Sequence, residues 1–322
     1  MENKILILLM TCGQPLYERE EKVCRDTFLK DAKKAGVSYY FYKGTDENHP
    51  ERMIDEETNT IYLPVDDSLK GTSMKTAMAL SEALKIDDWD YLIKTNVSTW
   101  LDIKKILKTV EKLEGREDKN IYGARFLAND ASKKVPFPRG HFMMISRSLV
   151  EGAAPVMLKL ATSARMPRTD DTLLCLSLLY YTQKVMKLDY VGQLKEVPSV
   201  TTWSEWVQDA QEWPDALSVR CKGEPSIEST PDNMMKVHAM KHSTKQERKG
   251  YRPMGMIETK HGFMSYDSYV KLEKTLGEQA KKKEEPAPVE KPKETPQPPQ
   301  QSDEPNKILE IREKLEGLMK GL

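Results

Sequence analysis

The run Lys4-Ile5-Leu6-Ile7-Leu8-Leu9-Met10 limits the fold of this chain more than any other segment. A strand with no polar alternation must be covered on both faces, as strands are in a parallel sheet packed between helices. The next hundred residues keep that rhythm. A charged helical stretch from about Tyr17 to Ala35 is closed by Gly36. Strands are expected at Val37–Tyr42, Asn59–Leu63 and Trp89–Ile93. Helical spacing of apolar residues recurs at Met74–Leu84 and Ile103–Leu113. Strands alternating with helices at these lengths predict an α/β fold, Rossmann-like, on a mostly parallel sheet. Beyond about residue 120 the pattern loosens. Thr172–Tyr181 reads as a helix, while His141–Ile145, Val185–Leu188 and Met234–Met240 read as short strands. No internal repeat is present.

At 322 residues, 39% hydrophobic and 31% charged, the chain can bury one substantial core. Its 50 basic and 50 acidic residues cancel, so contact with a polyanion would have to come from a local patch. The four cysteines, Cys12, Cys24, Cys175 and Cys221, form no CxxC pair and read as reduced core thiols. The apolar run at Ile5–Met10 is too short to span a membrane and lacks a basic lead-in or cleavage site. The expected location is the cytoplasm.

The composition divides the chain at about residue 277. Residues 1–276 are expected to form one folded domain. Residues 277–305, rich in Pro, Gln, Glu and Lys, offer little to bury and are expected to be a disordered linker. In residues 306–322, Ile308, Ile311, Leu315, Leu318 and Leu322 recur at spacings of three and four. That stripe reads as an amphipathic docking helix for a protein partner or for self-association, too short to fold alone.

Several segments, in order, resemble the β-1,3-galactosyltransferase and Fringe type of glycosyltransferase, whose fold is GT-A. Val23-Cys24-Arg25-Asp26-Thr27-Phe28 is similar to the family's Ile-Arg-x-Thr-Trp segment. Asp66 through Thr76, including Lys75, resembles its Asp-Ser-Tyr-x-Asn-Leu-Thr-x-Lys-Thr segment. Tyr91 through Trp100 stands where the family has a strand followed by Asp-x-Asp. Pro136 through Arg147 resembles its acceptor-side segment, and Thr169-Asp170-Asp171-Thr172 resembles the segment that supplies the base.

The resemblance implies an inverting transferase that moves sugar from a nucleoside-diphosphate donor, expected to be UDP-linked, to a saccharide hydroxyl. It makes Asp170 or Asp171 the base, and the sequence does not choose between them. It places Arg25, Asp66, Lys75, Asn96, Ser98, His238 and Lys241 on the donor side, and Pro138 and Gly140 on the acceptor side. Trp203 and Trp206, in a tryptophan cluster with Trp213, are acceptor-side candidates on their own account, because an indole can stack on a sugar ring or a base; core packing is the alternative. The departure is Asn96-Val97-Ser98 in place of Asp-x-Asp. Neutral side chains are poor ligands for Mg²⁺ or Mn²⁺. A metal held by fewer ligands, basic residues in its stead, or an inactive site all remain open, as does a plain capping role for Asn96 and Ser98 at the helix near Asp102. Two other functions stay in view. The basic stretch from Lys236 to Arg252 could track DNA and present a hydroxylated base as acceptor. A non-catalytic binding module would share the same fold.

Overall fold

Along the first strand, β1 (Ile5–Met10), alternate side chains feed two separate cores. Leu6 and Leu8 join one, and Ile5, Ile7 and Leu9 join the other. That two-sided burial is what the unbroken apolar run requires. The computed structural model describes residues 4–68, 70–86, 88–124, 126–127, 136–163, 169–200, 216–222, 227–242, 256–259 and 262–265. The linker and terminal stripe therefore lie outside the described residues, as do Trp203 and Trp206.

After β1 come α1 (Pro15–Asp26), α2 (Phe28–Lys34), β2 (Ser38–Gly44), β3 (Met53–Asp55), β4 (Thr60–Leu63) and α3 (Thr72–Ala83). Next are β5 (Tyr91–Asn96), β6 (Thr99–Leu101), α4 (Ile103–Val110), β7 (Ile121–Gly123), β8 (Phe126–Leu127), β9 (Phe137–Pro138) and β10 (Met143–Ser146). The later elements are α5 (Arg147–Ala161), α6 (Asp170–Tyr180), β11 (Leu194–Glu196), β12 (Ser199–Val200), β13 (Ser218–Arg220) and α7 (Thr230–His242). The main sheet has the order β11-β7-β10-β5-β1-β2-β4-β3. Its centre, β4-β2-β1-β5, is parallel, with Leu8 opposite Lys94 and Tyr40. β10 runs against both β5 and β7, and β3 runs against β4. The result is an α/β fold on a large, mostly parallel sheet. Helices α3, α5 and α6 cover one face, and α1, α2, α4 and α7 cover the other. A smaller sheet, β12-β13-β6, begins just past the end of β5.

Three expectations need correction. The stretch from Tyr17 to Ala35 is two helices, because buried Thr27 adopts φ −114° and ψ −112°, outside the helical region. Gly36 does end the second, with φ +71°. Val185–Leu188 is not a strand. The chain leaves α6 through a π-type turn, in which Met186 N–H donates to Tyr181 O at 3.1 Å, and Lys187 then takes a positive φ of 59°. Met234–Met240 belongs to α7. Met234, Val237 and Met240 are buried while Met235 is exposed, a spacing of three that only a helix places on one face. All four cysteines are free and buried.

One buried acid on α1 makes stability depend on pH. Glu20 is only 1% exposed, and its Oε2 has no hydrogen-bond partner among the described residues. Burial raises its pKa from 4.5 to about 7, against the opposing pull of Lys222 and of the Thr230 side chain. The folded state therefore holds this proton more tightly than the unfolded chain does. The stability this supplies is complete below about pH 4.5 and is lost as pH rises through about 7. At about 1.4 kcal/mol per pKa unit, the penalty at pH 8 is about 3 kcal/mol. Glu20→Gln should accordingly raise the melting temperature at pH 8 and leave it nearly unchanged at pH 4.5. An equal shift at both pH values would show that the ionised carboxylate is already compensated.

Candidate active site

The strands β11, β7, β5, β1, β2 and β4 all point the same way, so their C-terminal ends form one edge of the sheet. Open α/β sheets place ligands in the crevice beyond that edge. Lys94, near the end of β5, shares the facing of Leu92 and so points toward α3, α5 and α6. It is 1% exposed, forms an ion pair with Asp170 at the start of α6, and donates to Gly140 O at 3.2 Å. Burial alone would lower the lysine's pKa. Asp170, Tyr42 and Asp171 outweigh that burial, and Lys94 stays firmly protonated.

The two acids at the head of α6 therefore live in different environments. Asp170 is 8% exposed and committed to Lys94. Asp171 is half-buried, and its Oδ1 accepts from its neighbour's Thr172 N–H at 2.8 Å. Burial, and then the negative charge of Asp170, push the Asp171 carboxyl above the usual carboxylate range, with Lys94 pulling the other way. Gly140 closes against it: a Cβ there would come within 3.0 Å of Asp171 Oδ2. A side chain there would press on the acid, so glycine leaves the Asp171 carboxylate its position. Pro138, in β9, leads into the loop.

Asn96 ends β5. Its Oδ1 accepts from Ser98 Oγ at 2.7 Å and from Thr99 Oγ1 at 2.9 Å. These side chains do not cap the following helix. Asp102 does so itself, accepting from Lys105 N–H at 3.2 Å.

On the other side of β1, Lys75 is 2% exposed and bridges the Thr11 carbonyl and Asp67. Asp67 also accepts from Gly13 N–H at 2.9 Å and Gly44 N–H at 3.0 Å, tying together the loops that leave β1, β2 and β4. Asp66, next to it, is engaged in a local turn with Ser68 N–H at 3.0 Å. The motif resemblance points to Asp66 and passes over Asp67, which is the acid that anchors these loops.

The remaining expected donor residues lie apart from Asp171. Arg25 donates to Thr58 O at 2.6 Å and lies 4.3 Å over the ring of Phe41, a core residue of the far face of the sheet. His238 and Lys241 are on α7, on that same far face. The His238 ring accepts at Nδ1 from Trp100 Nε1–H at 3.3 Å, and Lys241 lies 3.6 Å from Asp102. Burial lowers the Lys241 pKa to about 8.

Close to Asp171 are two arginines and a neutral histidine that the motif resemblance does not select. Arg139 and His141 flank Gly140, and the His141 carbonyl accepts from Thr95 Oγ1 at 2.6 Å. Arg220, on β13, pairs in register with Thr99 of β6. His141 is 1% exposed. Its pKa falls to about 3 through burial, helped by Arg220, Arg139 and Lys94, so the imidazole is neutral.

No family model matches the sequence, and no curated protein is similar to it. The structure is similar to solved glycosyltransferases. One is involved in the glycosylation of the major capsid of PBCV-1, with TM-score 0.47 and 11% identity over 72% of this chain and 99% of that one. A second is the galactosyltransferase LgtC, solved in complex with donor and acceptor sugar analogs, with TM-score 0.42 and 9% identity over 76% of this chain and 99% of that one. A third is the apo-form glycosyltransferase GlyE of Streptococcus pneumoniae TIGR4, with TM-score 0.39 and 11% identity over 79% of this chain and 65% of that one. At such low identity the site is defined by this chain's own residues. No helix among the described residues is long and apolar enough to cross a membrane.

Proposed function

We propose that the chain is an inverting glycosyltransferase of GT-A type, that its donor is a nucleoside-diphosphate sugar, and that Asp171 is its base. The observation that carries this is the division of labour at the head of α6. Asp170 is paired with buried Lys94, which leaves Asp171 as a half-buried carboxylate with a raised pKa packed against Gly140. A base of that kind suits removal of a hydroxyl proton. The ordered motif resemblance supplies the substrate class.

In the reaction, Asp171 takes the proton of an acceptor hydroxyl as that oxygen forms a bond to the anomeric carbon. The bond from that carbon to the diphosphate oxygen breaks, and its electron pair leaves on the phosphate. The products are an inverted glycoside, a nucleoside diphosphate and a protonated Asp171, which returns its proton to water. A saccharide hydroxyl is the first acceptor to test and a uridine diphosphate the first donor nucleotide.

A thermal-shift screen of nucleotide sugars tests the donor class. A ligand that binds only the folded state stabilises it by about 2.7 kcal/mol at a hundredfold excess over Kd. One sugar nucleotide should raise the melting temperature clearly and be consumed when acceptors are supplied. A panel in which no nucleotide sugar binds or turns over would leave a binding module without transferase activity.

A further inference from the structure

GT-A transferases of the resembled family hold a divalent cation between two carboxylates, and the residues here do not fit one. Asn96 and Ser98 are neutral, and the amide oxygen of Asn96 already accepts from both Ser98 and Thr99. Proteins hold Mg²⁺ and Mn²⁺ chiefly through carboxylate oxygens, and this pair offers none. Among the described residues a triplet of metal-binding type does occur, Asp31 with His238 and His242, but α7 places it on the far face of the sheet.

Positive charge occupies the neighbourhood instead. Arg220 lies opposite Thr99, whose hydroxyl holds Asn96, so it stands beside the loop where the cation would be bound. It is half-buried and has no hydrogen-bond or ion-pair partner among the described residues. Arg139 is near enough to lower its pKa further, after burial itself, and Asp171 offsets this in part. Both ring nitrogens of fully buried His141, one residue past Gly140, lack any partner among the described residues. A half-buried guanidinium repelled by a second one is costly unless an anion completes it. A buried imidazole with neither nitrogen satisfied calls for a polar ligand in the same way.

We propose that Arg220, Arg139 and His141 form a metal-free subsite for the diphosphate of the donor. The proposal rests on the transferase reading for the identity of its ligand. Guanidinium forks match phosphate oxygens in bidentate fashion and keep their charge at any working pH. Fixed in place, they would stabilise the negative charge that develops on the leaving diphosphate as the anomeric bond breaks.

The experiment uses the full chain and inorganic pyrophosphate in EDTA, read by calorimetry and thermal shift. Pyrophosphate should bind without added metal, and Arg220→Gln should weaken it about 10- to 100-fold, the loss expected for a hydrogen bond to a charged group. Without ligand, Arg220→Gln should melt no lower than the parent, because it removes an unpaired charge. That guards against reading misfolding as lost affinity. Binding that appears only with Mn²⁺, or that is equal in parent and variant, would overturn the proposal. Metal-free pyrophosphate binding that disappears in the variant, with no nucleotide sugar turned over, would uphold the anion site and refute the transferase reading.

Discussion

Asp171→Asn is expected to lower the transfer rate by about 10²- to 10⁴-fold, the usual worth of a positioned general base, while the donor Kd and the melting temperature change little. The side chain keeps its shape, and the Thr172 N–H bond can be made by an amide oxygen as well as by a carboxylate. What is lost is the ability to accept a proton. The same residue sets the acid limb of the pH profile. Burial and the adjacent Asp170 hold its carboxyl above the usual carboxylate range, so kcat should begin to fall at a higher pH than an ordinary aspartate would give. The residual activity of the Asn variant should lack that limb. A variant that retains parental turnover, or the same acid limb, would remove Asp171 from the chemistry.

Much of the scaffold is legible in the sequence because its signals are local. The apolar run of β1 announces a strand buried on both faces, and Gly36 announces the end of α2. The elements that escape are of two kinds. β6, β7, β11, β12 and β13 are two or three residues long, too short for any period to show. α7 reads as a strand because Lys236, His238 and Lys241 interrupt its apolar residues. The spacing of Met234, Val237 and Met240 is the signal that identifies it as a helix.

The site is less legible than the scaffold because it is assembled through sheet register. Arg220 reaches Thr99 only through the β13–β6 pairing, and no spacing in the sequence foretells that contact. Arg139 and His141 lie within the segment that resembles the acceptor side of the family, yet nothing local distinguishes them from surface charge. Lys94 carries a readable signal: it is a lysine at a core-facing position of an apolar strand, and such a residue requires an anionic partner.

That partner carries the second large effect. Asp170→Asn should destabilise the fold by about 3–5 kcal/mol, the range for removing one member of a buried ion pair. Lys94 is 1% exposed, and its other hydrogen bond is to the Gly140 carbonyl, so an uncharged amide leaves an ammonium in the core without its counter-charge. Urea denaturation should show a lower midpoint with an unchanged slope. Lys94→Met combined with Asp170→Asn should recover much of the loss, because the double variant no longer buries an unpaired charge. The two neighbouring acids thus separate by measurement: Asp170→Asn should be read first in stability, and Asp171→Asn in rate. An Asp170→Asn variant with the parental midpoint would mean that Lys94 loses its proton at little cost, and the ion pair would then have no structural role at the head of α6.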